Sequence, residues 1–360
     1  MNDFSRDYKK NKKEINIGIK RVLESGWYLL GQELKLFELE LSNYLNVKYC
    51  VGLANGTEAI TLALIAIGIK PGDEVITTNM SAYPTITGIE RTGAKAVLVD
   101  IDENTGLMDI SKIEVKINKN TKAIVPVHLY GQACNMDEII KIAKNHNLKI
   151  MEDCAQSIGA KYKNKTTGTF GNAGSLSFYP TKNLGAYGDA GAVITNDEDV
   201  YKKLLKLRNY GQSIRYYHEE WGINSRLDEI QAAILRAKLK KLDENIEKRR
   251  KIAHFYNTHL KTVKYIIENK DCLSTYHLYV IKSKHRDELQ AYLSEYNIST
   301  LIHYPVPLNM QKAFKFQKED KFPNTFKFAN EILSIPIYPE LALNEVRLVV
   351  KVINQFKPKN

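Results

Sequence analysis

Two short segments carry side chains whose chemistries complement each other. In Ser177-Phe178-Tyr179-Pro180-Thr181-Lys182-Asn183-Leu184-Gly185 a lysine sits in a turn that Pro180 stiffens and that Gly185 and Gly188 allow to close tightly. In Glu152-Asp153-Cys154-Ala155-Gln156 an aspartate follows the largely apolar run Leu148–Met151. A lysine in a low-dielectric pocket loses its proton more easily and becomes a nucleophile toward an aldehyde. A carboxylate at a strand end can hold a pyridine nitrogen in its protonated form. An amine for the aldehyde and an acid for the ring are together what pyridoxal 5'-phosphate (PLP) requires of a protein. Either residue alone says little. The chain is rich in lysine, a turn lysine is usually a surface group, an aspartate can simply cap a strand, and Glu152 is a rival for the carboxylate role.

A phosphate needs donors, and Asn55-Gly56-Thr57-Glu58 offers them where an apolar strand gives way to a buried helix. The first N–H groups of a helix lack intrahelical partners, and the helix dipole adds positive potential. Gly56 allows close approach, while the hydroxyls of Thr57 and Ser177 add donors. The competing reading is an Asn or Thr N-cap with no ligand. Gln156 falls either near the cofactor ring or at the sheet edge.

These residues require a scaffold. Strands are expected at Tyr49–Leu53, Glu74–Thr77, Ala96–Val99, Ala123–Val127, Lys149–Met151, Ser175–Phe178 and Ala192–Thr195, with helices at Thr57–Ile67 and Asp137–His146. Strands alternating with helices predict an α/β fold with a mostly parallel sheet of seven strands covered on both faces. Ligands of such sheets bind at the carboxyl ends of the strands, where Asp153 falls. From Asp228 a long charged helix is expected through Leu260, then a strand Tyr276–Lys282, a helix Asp287–Tyr296, a strand Ser299–His303 and a helix Asn344–Phe356. That predicts a PLP-binding large domain over 14–240 and a smaller α+β C-terminal domain over 241–360, with residues 1–13 packing on the latter.

Composition excludes other classes. The 360 residues are 44% apolar and 26% charged, as in an ordinary globular protein. The longest apolar run, Ala59–Ile69, is too short for a bilayer, so no membrane is expected. The first residues carry no signal-peptide core, and the four cysteines show no metal-binding spacing. A cytoplasmic protein with reduced thiols and no metal is expected. The net charge of +11 reads either as attraction to an anionic partner or as a Lys/Asn/Ile-rich bias over solvated faces, and the scattered lysines without interleaved aromatics argue against nucleic acid.

Over nearly its full length the chain resembles the DegT/DnrJ/EryC1/StrS family of sugar aminotransferases, PLP enzymes of the aspartate-aminotransferase fold (fold type I). The likeness runs from Ser25-Gly26-Trp27-Tyr28-Leu29-Leu30-Gly31 to Ser334-Ile335-Pro336-Ile337-Tyr338-Pro339-Glu340. Its specific pieces are Asn55–Ala59, Glu152–Gln156, Ser177–Gly185, Gly222–Asp228 and His303-Tyr304-Pro305. The resemblance implies that Lys182 carries PLP covalently and that Asp153 pairs with the ring nitrogen. It places Gly56, Thr57, Gln156 and Ser177 around phosphate and ring, and it sends Asn224 to the phosphate of a partner subunit in an obligate homodimer. It further implies transfer of an amino group from L-glutamate to a nucleotide-linked keto sugar, for surface-glycan biosynthesis.

Within the family, the segments Leu207–Ser213 and Arg215–His218 resemble members that aminate carbon 3 of dTDP-3-keto-6-deoxyhexoses. The alternative is amination at carbon 4 of a dTDP- or UDP-linked 4-keto sugar. A PLP-dependent sugar dehydratase would carry histidine in place of Lys182, and a catalytically silent regulator would have no use for it. His303 and Tyr304 are expected either to contact the substrate or to pack between lobes. Two departures stand out. Ala82 replaces the family's stacking aromatic, so either Tyr83 beside it covers the ring or the ring is covered differently. Asn309 replaces a histidine at a suspected substrate contact.

Overall fold

The computed structural model describes residues 2–314, 317 and 320–358. Its main sheet has seven strands: β1 (Tyr49–Leu53), β2 (Glu74–Thr78), β3 (Lys95–Val99), β4 (Thr121–Val125), β5 (Lys149–Asp153), β6 (Ala173–Ser177) and β7 (Gly191–Thr195). Across the sheet their order is β1-β7-β6-β5-β4-β2-β3. The block from β3 to β6 is parallel, whereas β7 runs antiparallel to both neighbours. Each strand is a short run of apolar and β-branched residues buried on both faces, which suits an interior sheet. Alternate residues serve opposite faces. Val75, Leu98 and Ala123 join a core with the helix Gly56–Ala66, while Ile76, Val97 and Ile124 join one with the helix Met136–Asn145.

The first helices are α1 (Phe4–Ser25), α2 (Gln32–Leu45), α3 (Gly56–Ala66), α4 (Pro84–Glu90), α5 (Met136–Asn145) and α6 (Glu198–Leu207). The single long helix expected from Asp228 to Leu260 is instead two, α7 (Glu229–Leu239) and α8 (Leu242–His259). The cause is burial. Ala232, Leu235 and Leu239 pack with α2 and the main sheet, whereas Ile252, Ala253 and Tyr256 pack into a separate core. One straight axis would not serve both.

That separate core lies against a three-stranded sheet of Lys264–Tyr265, Tyr279–Lys282 and Ile332–Ile335, flanked by α9 (Arg286–Glu295) and α11 (Leu343–Gln355). The strand expected at Ser299–His303 is only an isolated bridge from Leu301 to Ser334. Ile332–Ile335, missed in the sequence reading, takes the edge. Helix α10 (Pro323–Glu331) sends Phe328 and Ala329 back into the core under the main sheet.

Helix α1 straddles both bodies. Arg6 pairs with Glu345 and Lys10 donates to Asn245, while Asp7 accepts from Lys238 and Tyr187. Met1 of the expected 1–13 segment and residues 315, 316, 318, 319, 359 and 360 of the 241–360 range lie outside the described residues. Among the described residues no helix is long and apolar enough to cross a membrane.

A buried carboxylate ties α7 to the first helices. Glu229, 2% exposed, accepts the N–H groups of Gly31 and Glu33 at 2.7 Å each and of Leu34 at 3.2 Å. It therefore caps α2, whose own N-cap Gly31 has no side chain. Glu229→Gln sets an amide N–H₂ against backbone N–H donors. It should lower stability by about 2 kcal/mol, seen as a lower thermal midpoint; an unchanged midpoint would mean that water replaces the cap.

Candidate active site

Loops at the carboxyl ends of the parallel strands enclose a cavity of about 330 Å³. Asp153 ends β5, Ser177 ends β6, and Val127 and Leu129 follow β4. Ser81, Ala82 and Thr85 follow β2, and Asn55, Gly56 and Thr57 open α3 after β1. Lys182 reaches in from the turn beyond β6. A larger groove of about 740 Å³ between α1, α2 and α7 contains neither Lys182 nor Asp153.

The choice between two adjacent acids is settled by strand alternation. Glu152 points away from the cavity and is fully engaged: it accepts N–H groups of Gly168, Phe170 and Gly171 and pairs with His128 Nε2 at 3.0 Å. Asp153, 3% exposed, lines the cavity. Its Oδ2 accepts from the Thr85 hydroxyl at 2.8 Å and its Oδ1 from Ala155 N–H at 3.1 Å. His128, Glu152 and Cys154 are close enough for a metal, yet Glu152 is consumed by four donors and His128 Nδ1 accepts Cys134 N–H.

Lys182 sits where its turn is most constrained. Its N–H donates to Tyr179 O at 2.8 Å, and a Cβ on Gly185 would lie 2.4 Å from Pro180 O, so only glycine fits. Burial lowers the Lys182 amine to about 8, with Asp153 pulling it partly back up. Among the described residues its nitrogen makes no hydrogen bond or ion pair. Two histidines nearby stay neutral. His303 is lowered to about 4 by burial and by Lys182, and His277 is pushed well below its usual value by burial, then by Lys182, Arg249 and His303.

At the opposite wall Asn55 Oδ1 accepts Glu58 N–H at 2.9 Å, leaving the Gly56 and Thr57 N–H groups outside the helix's own bonding. A Cβ on Gly56 would meet Ser177 Cβ at 2.7 Å. Glycine is thus what brings the helix start against the end of β6. Gln156 is clamped, its Oε1 accepting Tyr130 N–H at 2.7 Å and its Nε2 donating to Tyr304 Oη at 2.8 Å. The Tyr304 hydroxyl is raised to about 12 by burial and the charge of Asp153. His303 Nδ1 meets Ser334 Oγ at 2.9 Å, and Tyr130 donates to the His303 carbonyl.

Two residues expected at the ligand, Tyr83 and Asn309, lie outside this cavity's lining. Tyr83 does not line the cavity; as the residue ahead of α4 it packs on the apolar core, and Ala82, Pro84, Val127 and Leu129 form the wall instead. Asn309 is 1% exposed and exchanges two hydrogen bonds with Asn79, so it pins the turn Leu308–Met310 to the end of β2, while its Nδ2 has no partner among the described residues. Arg208, in the segment that resembles carbon-3 enzymes, pairs with Glu38 and Gly52 O and is structural. Asn224 is exposed, paired only through a bridge to Asn209, and absent from this cavity. Sequence reasoning missed Ser81, Thr85, Tyr179 and Asp189 in the lining. A hydroxyl three positions from a proline carries no signal by itself.

With this geometry the comparisons are direct. Residues 9–354 match the DegT/DnrJ/EryC1/StrS aminotransferase family, and the chain belongs to that family. It is 46% identical over 346 residues to the dTDP-3-amino-3,6-dideoxy-α-D-galactopyranose transaminase of Aneurinibacillus thermoaerophilus, covering 96% of this chain and 95% of that protein. It is also 44% identical over 363 residues to a pleiotropic regulatory protein of Geobacillus stearothermophilus, covering 99% and 98%. The crystal structure of S. venezuelae DesV in complex with a ketimine intermediate matches with a TM-score of 0.96 at 38% identity, over 98% of this chain and 96% of that one. The protein is therefore a PLP-dependent aminotransferase of fold type I that acts on nucleotide sugars.

The lowered Lys182 amine has a consequence for the protein without cofactor. Between about pH 8 and the unfolded lysine's 10.5 the unfolded chain binds the extra proton, so this group adds stability as pH rises through that window. Below pH 8 the buried charge is a cost. Cofactor-free Lys182→Met should gain stability at pH 7 and lose the rise between 8 and 10, measured as thermal midpoint against pH; parallel curves would contradict the lowered value.

Proposed function

We propose that this enzyme moves an amino group from L-glutamate to carbon 3 of a dTDP-linked 3-keto-6-deoxyhexose. The observation that carries the chemistry is one cavity holding an unpaired low-pKa lysine, a buried aspartate and the open N-terminus of α3. These residues fit PLP. Gly56 and Thr57 N–H groups with the Thr57 and Ser177 hydroxyls would hold the phosphate, in a cradle that a Cβ at Gly56 would fill. Asp153 would hold the ring nitrogen, and Lys182 Nζ would hold the aldehyde carbon. Bound there, PLP supplies an electrophilic carbonyl and an electron-accepting ring.

The chain's own groups do the rest. Near neutral pH a share of Lys182 Nζ is uncharged, so it would be able to bond the cofactor's aldehyde carbon with loss of water and, once a substrate amine has displaced it, to accept and return a proton at Nζ. Gln156, held by Tyr130 and Tyr304, gives a rigid wall. In this reading Tyr304, bonded to Gln156 of the cavity wall, and His303 beside it are the candidate substrate contacts. Asn224, exposed and outside its own cavity, would serve the site of a partner subunit in a homodimer.

The substrate follows from likeness. The relative at 46% identity is named for a dTDP-3-amino-3,6-dideoxyhexose. A +11 chain also attracts a nucleoside diphosphate. A regulatory role, after the other relative's name, is disfavoured by the retained lysine and aspartate. Purified protein should be yellow and bleach with L-glutamate, and borohydride should attach the cofactor to Lys182 alone. Offered dTDP-3-keto-6-deoxyglucose, its galacto epimer, dTDP-4-keto-6-deoxyglucose and UDP counterparts, it should turn over a 3-keto dTDP sugar. Turnover of a 4-keto sugar alone would overturn the regiochemistry, and no bleaching would point to a regulator.

For the shared site, inactive Lys182→Ala and inactive Asn224→Asp chains should together recover part of the activity in mixed dimers. Absence of recovery, with mixed dimers verified by mass, would argue that each subunit works alone.

A further inference from the structure

Behind the carboxylate lies a hydroxyl chain. Thr85 Oγ lies 2.8 Å from Asp153 Oδ2 and 2.7 Å from Ser81 Oγ. Thr85 is 1% and Ser81 3% exposed, so bulk water does not compete for either group. An ionised carboxylate only accepts, so the single Thr85 proton goes to Asp153. The Ser81 proton must then point at Thr85, and both dipoles align toward the negative charge. Each donor strengthens the other in such a chain. Oδ1 is meanwhile tied by Ala155 N–H, which sets the carboxylate plane.

We propose that Thr85, backed by Ser81, is a positioning residue that keeps the proton shared between Asp153 and the cofactor ring on the ring nitrogen. The inference rests on the assignment of Asp153 to that nitrogen. A donor aimed at a carboxylate stabilises its negative form, so the shared proton is left on the partner. Without it the carboxylate draws the proton back, the ring loses positive charge, and its pull on electrons weakens. The same loss lets the Lys182 nitrogen hold its own proton more tightly, because less positive charge lies nearby. The other ionisable groups facing this corner are Cys154 beside Asp153, Tyr304 from the segment opposite, and Asp189 in the lining. None of them donates a hydrogen bond to Asp153 among the described contacts.

Thr85→Val keeps shape and removes the donor; Thr85→Ser restores it. In Thr85→Val holoenzyme the pH midpoint of the visible cofactor band should rise by about one unit. The half-reaction with L-glutamate should slow at least tenfold, and the cofactor-free melting temperature should stay near that of the parent. Thr85→Ser should return both the midpoint and the rate, and Ser81→Ala should shift the midpoint in the same direction by less. An unmoved midpoint in Thr85→Val, or a Thr85→Ser protein as defective as Thr85→Val, would overturn the proposal. Asp153→Asn separates the two levels. If it too leaves the band and the half-reaction unchanged, the Asp153 assignment has failed; if it alone is defective, only the role of Thr85 has.

Discussion

A negative charge buried at the end of β5 has to be answered, and much of the architecture around the cavity follows from how it is. Asp153 N–H donates to Pro126 O and Asp153 O accepts His128 N–H, so the backbone is locked to the neighbouring strand end before the side chain is considered. The side chain then draws Thr85 and Ala155 to its two oxygens. One residue earlier, Glu152 answers its own charge on the far side of the sheet by gathering the loop Gly168–Gly171 and His128. Two adjacent acids thus do opposite work, one organising the ligand cavity and the other clamping β5 to β6.

The cavity's potential is uneven by construction. Among the described residues Lys182 has no anion in hydrogen-bonding contact, and the nearby histidines are kept neutral by burial and by the cations around them. Arg249, itself lowered to about 10 by burial, donates to the carbonyls of Tyr276, His277 and Ile337 and remains a fixed positive group behind His277. The open helix start at Gly56 adds to the same sign. A phosphate and a deprotonated substrate group are the ligands that such a field favours. Asp153 sets a negative group in the same cavity.

Rigidity comes from residues outside the chemistry. Glu229 caps α2 across the chain, Arg236 ties α7 to Glu33 and Glu40, and Asn79 with Asn309 pins a turn of the C-terminal half onto β2. Tyr304, from that same half, reaches Gln156 in the cavity wall. The wall thus depends on contacts between segments far apart in the chain, and its shape responds to how those segments pack.

Local sequence determined the elements and the chemistry. The seven strand runs, the helix after Asn55, and the lysine between Pro180 and Gly185 are written in residue type and period, because each depends on neighbours within a few positions. Tertiary packing decided what period alone leaves open. Which of Glu152 and Asp153 faced the ligand depended on which side of the sheet carried α3, a fact set by distant crossovers. Tyr83 packed on the apolar core and Asn309 bonded to Asn79 because their surroundings come from remote segments. The helix from Asp228 broke at Lys240–Lys241 because its halves serve different cores, which helix propensity does not register. Thr85 became part of the site only when the start of α4 was brought to the end of β5. Hydrogen bonds between residues far apart in sequence are fixed by the fold, and a single chain of letters carries no distance between them.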